Sequence, residues 1–170
     1  MDIYEIIKKR RSVRAYENRP VTDEILNRLL EAARWAPSAR NLQPWKFIVV
    51  RDEKRRKDLA DAANQQLFLA QAPIIIAAVG LDPGYLMSCQ VPAYAVDVAI
   101  AVDHLTLAAA AEGLGSCWIG AFSQDRVRSI LGVPGSQKVV ALVPVGYPAD
   151  EPVPRTRKPV QDLVCYDRLG

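Results

Sequence analysis

The residues with the clearest chemical potential are Pro37, Ser38, Ala39, Arg40, Asn41, Leu42, Gln43, Pro44 and Trp45, which set a hydroxyl, a guanidinium and two carboxamides between two prolines. The prolines fix φ and remove two backbone donors, so this stretch is neither a helix interior nor a central strand. It is a shaped connection. Carboxamides offer donor and acceptor together, which suits the edge of a flat heterocycle whose ring atoms alternate between the two. The apolar run from Trp45 to Val50 then supplies a strand for the loop to pack on. The same residues also suit a plain helix-to-strand connection whose polar groups satisfy its own turns, and the stretch alone does not choose between the two.

A second cluster is Arg10, Arg11, Ser12 and Arg14. Guanidinium forks beside a hydroxyl make a compact clamp for a phosphate-like anion. Cations at this place also answer the macrodipole at the end of a first helix over residues 2–9. A nucleic-acid patch is the third option, but Glu5 and Glu17 flank the cluster and no basic stripe follows. Basic residues return late, at Arg155, Arg157 and Lys158, inside a stretch punctuated by prolines.

Between these clusters, Gly113-Leu114-Gly115-Ser116-Cys117-Trp118-Ile119-Gly120 reads as a helix stop and a short strand over residues 116–120. Gly120 either lets a ligand face approach the backbone or simply turns the chain. Cys117 has no cationic neighbour in sequence and reads as a small buried hydrophobe. His104 is the only histidine, so no multi-histidine metal site is available, and it reads as a packed helix residue. Asn64 and Gln66 either reach a ligand or stay on the surface.

The elements that must position these groups follow from periodicity and caps. Thr22 caps a helix whose apolar face is Ile25, Leu26, Leu29, Leu30 and Ala33, closed by Pro37. Residues 45–51 predict a buried strand, residues 53–63 a charged surface helix with a solvated Lys54-Arg55-Arg56-Lys57 run, and residues 73–79 a central strand rich in β-branched side chains. Residues 93–112 form a helix apolar nearly all round, hence central. A Ser123-capped helix ending near Leu131 and a strand over residues 137–147 complete the body. From Pro148 the chain runs extended, and Val160, Leu163, Val164 and Tyr166 need a surface to cover.

The chain has 170 residues, enough for one domain with a sizeable core. With 22 basic and 19 acidic residues the net charge is +3, too weak to argue for nucleic acid. Three cysteines without ligand spacing and a start without a signal segment predict a reduced, cytoplasmic protein. The nearly apolar residues 94–111 are interrupted by Asp97, Asp103 and His104, which predicts a buried helix and no membrane span.

Taken in order, the 10–14 cluster, the 37–45 loop, the 113–120 segment and Pro154-Arg155-Thr156-Arg157 resemble the nitroreductase family that uses flavin mononucleotide (FMN). The resemblance runs from the first helix to the tail. It implies an α+β fold, one nitroreductase-like domain over residues 1–170 with a central, mainly antiparallel sheet wrapped by helices. It also implies an intertwined homodimer in which the tail, residues 148–170, packs on the partner chain. Arg10, Arg11, Ser12 and Arg14, with Arg155 and Arg157, resemble the site for the FMN phosphate and ribityl chain. Pro37, Ser38, Ala39 and Asn41, with Gln43 nearby, resemble the loop facing the isoalloxazine. Ile119 and Gly120 resemble the backbone pair beside the flavin nitrogen that accepts hydride, and Gln66 falls at the pyrimidine edge. Many members carry a second serine where this chain has Ala39, and larger members have a helical excursion where residues 81–92 are short.

The implied activity is an FMN-dependent oxidoreductase with ping-pong hydride transfer from NAD(P)H to a nitroaromatic, quinone or similar small-molecule acceptor. The cofactor carries that chemistry, so no side chain is expected to be catalytic. Dehalogenating and enone-reducing relatives share the scaffold. A flavin-storing or flavin-sensing protein and a small nucleic-acid module using residues 10–14 are the readings outside the enzymes.

Overall fold

The computed structural model describes residues 2–153 and 155–169. Asp2 caps α1 (Ile3–Lys9), whose last turn carries Lys8 and Lys9. Thr22 accepts the Ile25 N–H at the start of α2 (Asp23–Arg34), and that helix buries Leu26, Leu29 and Ala33. A short 3-10 turn (Ala39–Asn41) leads into β1 (Trp45–Val50). There follow α3 (Glu53–Ala62), α4 (Phe68–Gln71), β2 (Ile74–Gly80), α5 (Ala93–Ala111), β3 (Gly115–Ser116), α6 (Gln124–Leu131) and β4 (Lys138–Gly146).

The four strands form one sheet in the order β1-β2-β4-β3, with every pair antiparallel. The α+β fold with helices on both sides of an antiparallel sheet therefore stands as expected. On one face, Ile74, Ile76 and Ala78 of β2 pack with α2 and α5; on the other, Ile75, Ala77 and Val79 pack with α3, α4 and α6. Each fully buried isoleucine of β2 contributes roughly 1.5–3 kcal/mol of transfer free energy. Strand β4 changes parity at a bulge opposite Ala78 and Val79, so Val140 and Ala141 both turn to the α5 face. Gln124 of α6 holds that irregularity, since its amide donates to the Val139 carbonyl and accepts the Val139 N–H, both at 2.8 Å.

Several expectations change in detail. Strand β1 is an edge strand and only half buried, with Lys46 exposed, because its far side has no neighbour among the described residues. The strand expected over residues 116–120 keeps only Gly115–Ser116 and an isolated pairing of Ile119 with Leu142. The register is continuous, but Pro144 opposite has no N–H to donate and its carbonyl instead receives the Tyr16 hydroxyl at 3.3 Å. Arg56 is no solvated residue: its guanidinium donates to the carbonyls of Ala70 and Ala72 at 2.7 and 2.5 Å and ties α3 to the entry of β2. Helix α5, long and apolar enough by composition to cross a membrane, lies in the core along one side only. The tail, with one 3-10 turn (Val160–Asp162), leaves Val160, Leu163, Val164 and Tyr166 exposed within the chain, Tyr166 at 86%.

Two close approaches lock the N-terminal segment across the sheet end. The Val13 N–H donates to the Ser116 carbonyl at 3.0 Å, and a Cβ at Gly115 would sit 2.5 Å from a Val13 methyl. Only glycine allows that contact. Gly115→Ala is expected to destabilise the fold by about 1–3 kcal/mol through overpacking. Gly135→Ala, where an added Cβ meets nothing, is expected to leave stability nearly unchanged. Urea denaturation of both variants checks this.

Candidate functional site

The Val13 contact carries Arg10, Arg11, Ser12 and Arg14 to the end of the sheet where β3 begins and β4 ends. There they meet the start of the tail. Together with Ala15, Asp150, Pro152, Val153, Arg155 and Arg157 they line a cleft of about 420 Å³. All the predicted phosphate-site residues are thus on one wall system; Pro154 of the fourth motif lies outside the described residues.

The charge pattern sets this cleft apart. Most arginines on the helices are neutralised locally, Arg28 by Glu112, Arg34 by Glu31, Arg126 by Asp61 and Arg128 by Asp125, and Arg56 is taken up by backbone carbonyls. Among the described residues, none of the cleft arginines forms a salt bridge. Arg11 donates to the carbonyls of Lys8 and Arg10, and Arg157 to those of Arg155 and Thr156. The guanidinium groups of Arg10, Arg14 and Arg155 have no hydrogen-bond acceptor among the described residues, and Asp150 is the one carboxylate on the wall. Guanidinium groups gathered with a serine and not engaged in salt bridges suit a dianionic phosphate, so the donor set fits the cofactor that the resemblance implies.

The 37–45 loop lies at the opposite end of the sheet, where Trp45 pairs with Gly80 and Gly80 with Lys138. From Lys138 to Val145, opposite Ser116, β4 spans roughly 24 Å at ~3.4 Å per residue. One chain therefore does not bring the two predicted halves together. Within the loop, Arg40, Asn41 and Gln43 all have positive φ (52°, 56° and 50°), a conformation that costs of order 1–2 kcal/mol per residue, less for asparagine. The turn closes on itself. Ser38 Oγ accepts the Gln43 N–H at 2.9 Å, and the Gln43 amide reaches Asn41 at 3.2–3.3 Å. Two hydrogen bonds reach beyond residue 45: the Ala39 N–H donates to Asp97 Oδ1 at 3.0 Å, and the Pro44 carbonyl at the loop's exit accepts the Leu81 N–H at 2.9 Å. Pro37, Asn41 and Gln43 are exposed, and Arg40 stands 5.8 Å over the Tyr85 ring.

Tyr85 belongs to the short 81–92 connection, which folds into a tight hairpin with Leu86 bridged to Pro92. No helical excursion is present there. At the same end of the sheet a cleft of about 260 Å³ is lined by Tyr94, Gly120, Phe122, Gln124 and Lys138, among others. Nothing inside the chain requires glycine at 120: its φ is not positive, and an added Cβ would find only Trp118 Nε1, 3.9 Å away. Ile119 is buried, and its N–H and carbonyl are both bonded to Leu142 at 3.0 Å. Gln66 donates to the carbonyls of Ala63 and Ala121 at 2.8 and 3.2 Å, which anchors the strap after Gly120.

Two residues acquire neighbours that the sequence hid. Cys117 lies beneath the cleft, close to Ser12, Arg14 and Arg10; burial pushes its thiol up and the two arginines oppose this only in part. Asp97 is the larger omission. It reads as a mere interruption of an apolar helix, yet a buried carboxylate on such a helix signals a specific partner. His104 Nδ1 lies 3.3 Å from the Ala32 carbonyl and ties α5 to α2.

Fold and cleft together define an α+β protein with a cluster of arginines around a cleft at one end of its antiparallel sheet. The sequence pattern of the nitroreductase family matches residues 7–80 and 66–147, and the chain belongs to that family. An NADH dehydrogenase of Thermus thermophilus is 35% identical over 189 aligned positions, covering 93% of this chain and 92% of that one. Among solved structures, a nitroreductase family protein from Clostridium novyi NT superposes with a TM-score of 0.84 at 36% identity, covering 88% of this chain and 87% of the other. The NADPH:FMN oxidoreductase of Vibrio harveyi, solved with NAD+, superposes with a TM-score of 0.90 at 26% identity, covering 99% and 78%.

The raised thiol makes a prediction. A disulfide reagent at pH 8 is expected to leave Cys117 unmodified in the folded protein and to label it once urea exposes it. Peptide mass spectrometry reads this, and rapid native labelling of Cys117 would contradict the burial.

Proposed function

We propose that this member of the nitroreductase family is an NAD(P)H-dependent oxidoreductase that binds FMN. The single observation that carries the reading is the convergence of Arg10, Arg14 and Arg155, none of them in a salt bridge among the described residues, on a cleft with Ser12. When bound, FMN supplies a two-electron relay, taking hydride from NADH or NADPH and passing electrons on to a nitroaromatic, quinone or similar small acceptor in a ping-pong cycle.

The chain's residues bind, orient and shield. Arg10, Arg11, Ser12 and Arg14, with Arg155 and Arg157, hold the phosphate and the ribityl chain. Pro37, Ser38, Ala39 and Asn41, with Gln43, shape the wall against the ring. Ile119 and Gly120 lie along its reacting edge. With Ile119's backbone groups held by Leu142, the Gly120 N–H is the donor left there, and the bare α-carbon lets the ring come close. Gln66 braces this strap and borders the pyrimidine edge. Preference for FMN over the adenine dinucleotide would come from this clamp, which is suited to a terminal phosphate.

The roughly 24 Å of β4 between the two ends of the sheet supports a site built from two chains, because one mononucleotide does not span from the arginine cleft to the 37–45 loop. A two-fold homodimer would set the phosphate residues of one chain beside the loop of its partner, twice. The exposed apolar tail residues would find their surface on that partner. With Cys89 and Cys165 exposed and no disulfide among the described residues, we place the protein in the reducing cytoplasm.

The purified protein is expected to be yellow, to bleach anaerobically with NADH or NADPH, and to release FMN on heating; recovery of mainly the adenine dinucleotide would refute the phosphate clamp. Arg14→Ala is expected to stay folded and to bind FMN roughly 10- to 150-fold more weakly, the factor implied by losing one charge-assisted hydrogen bond. Calorimetry with FMN checks it.

Subunit sharing has its own test. Mixing a variant lacking Arg10 and Arg14 with Asn41→Ala under subunit exchange should restore roughly a quarter of parental sites, since in a mixed dimer one site collects both defects and the other neither. No recovery, despite mixed dimers seen by mass spectrometry, would mean that each flavin is held by one chain.

A further inference from the structure

Asp97 is 3% exposed and sits on the core side of α5 as its fifth residue, the one charged group in a buried face that is otherwise apolar apart from Thr106. Its two carboxylate oxygens differ. Oδ1 accepts the Ala39 N–H at 3.0 Å, whereas Oδ2 is buried without any hydrogen-bond partner. A buried carboxylate with half its acceptor capacity idle is costly, so a helix that retains one is using it.

The use is visible at the other end of the bond. Residues 38–43 hold three side-chain-bearing residues at positive φ, and every other hydrogen bond of the turn stays within residues 38–45. Internal hydrogen bonds close the turn and the Leu81 N–H holds its exit at the Pro44 carbonyl, but none of these ties residues 38–43 to a helix. The Asp97 contact is what fastens it to the rigid core helix.

We propose that Asp97 is the positioning residue of the ring-facing turn, holding residues 38–43 in their left-handed shape, and that its idle oxygen sets a negative charge behind the turn which makes the bound flavin harder to reduce. The second half rests on the FMN reading given above. The first half does not need it. With flavin bound against the turn, a fixed carboxylate behind the Ala39 N–H would disfavour the electron-rich reduced ring relative to the oxidised one, and the low-polarity surroundings of α5 leave that field poorly screened.

Two substitutions separate the roles. Asp97→Asn keeps an oxygen for the Ala39 N–H and removes the charge; Asp97→Ala removes both. By hydrogen exchange on the protein without added flavin, the amides of residues 39–43 should exchange roughly ten- to hundredfold faster in Asp97→Ala, the factor implied by losing a hydrogen bond to a charged acceptor, while β2 is unchanged. In Asp97→Asn they should stay close to the parent. By potentiometric titration with bound FMN, Asp97→Asn should show a midpoint potential more positive than the parent.

Unchanged exchange in a folded Asp97→Ala would overturn the positioning role. If Asp97→Ala does not fold, Asp97→Asn decides the proposal through its potential, and an unchanged or more negative midpoint overturns the charge role. Should the parent bind no FMN at all, the functional reading fails while the exchange result still decides whether Asp97 holds the turn.

Discussion

Pairing along both edges of β4 is the constraint on which the rest of the structure depends. One edge takes β2, whose six consecutive residues from Ile74 to Val79 are buried, and the other takes residues 115–119 in one unbroken register. Because the antiparallel ladder fixes which residues stand opposite one another, it also fixes where the chain's two reactive stretches emerge. Gly115 meets Gly146 at one end and receives Val13, so the arginines arrive there; Gly80 meets Lys138 at the other, so the 37–45 loop arrives there. The bulge near Val140, clasped by Gln124, adjusts the face parity without disturbing either end.

Electrostatics then distinguishes structure from site. Exposed pairs such as Lys54–Asp58 and Lys57–Glu53 lie at helical spacing and add little to stability. Salt bridges do, however, neutralise most of the cations of α2, α3 and α6 in place. The cleft between the N-terminal segment and the tail instead gathers five arginines that form no salt bridge among the described residues. A net charge of only +3 is compatible with a strong local anion site, because paired charges cancel in place.

Helix α5 shows how one polar atom inside an apolar element changes the reading of its surroundings. Its length and hydropathy alone describe a generic core helix, and one side of it packs as such against the sheet. Asp97 converts that helix into the anchor of the strained loop, and Tyr94, stacked against Gly80, lets α5 approach the strand end closely: a Cβ at Gly80 would lie 2.4 Å from its ring. The two contacts make the loop end of the sheet as firmly positioned as the arginine end.

What the sequence determined by itself were the elements and the types of chemistry. Helix caps at Thr22 and Ser123, the β-branched run of β2 and the proline brackets of the loop all act through neighbours in the chain, so spacing alone reveals them. The grouping of Arg10, Arg14, Arg155 and Arg157 was legible only through resemblance, and the fold brings them to one cleft. Other features arise from contacts between residues far apart in the chain. Arg56, one cation in a charged run, is captured by carbonyls at Ala70 and Ala72; Cys117, without a basic neighbour in sequence, lies among arginines in space; Asp97 and Ala39 are 58 positions apart. Periodicity reports which face of a helix is apolar, but the partner waiting for a single buried oxygen is decided only when tertiary packing brings two distant backbones together.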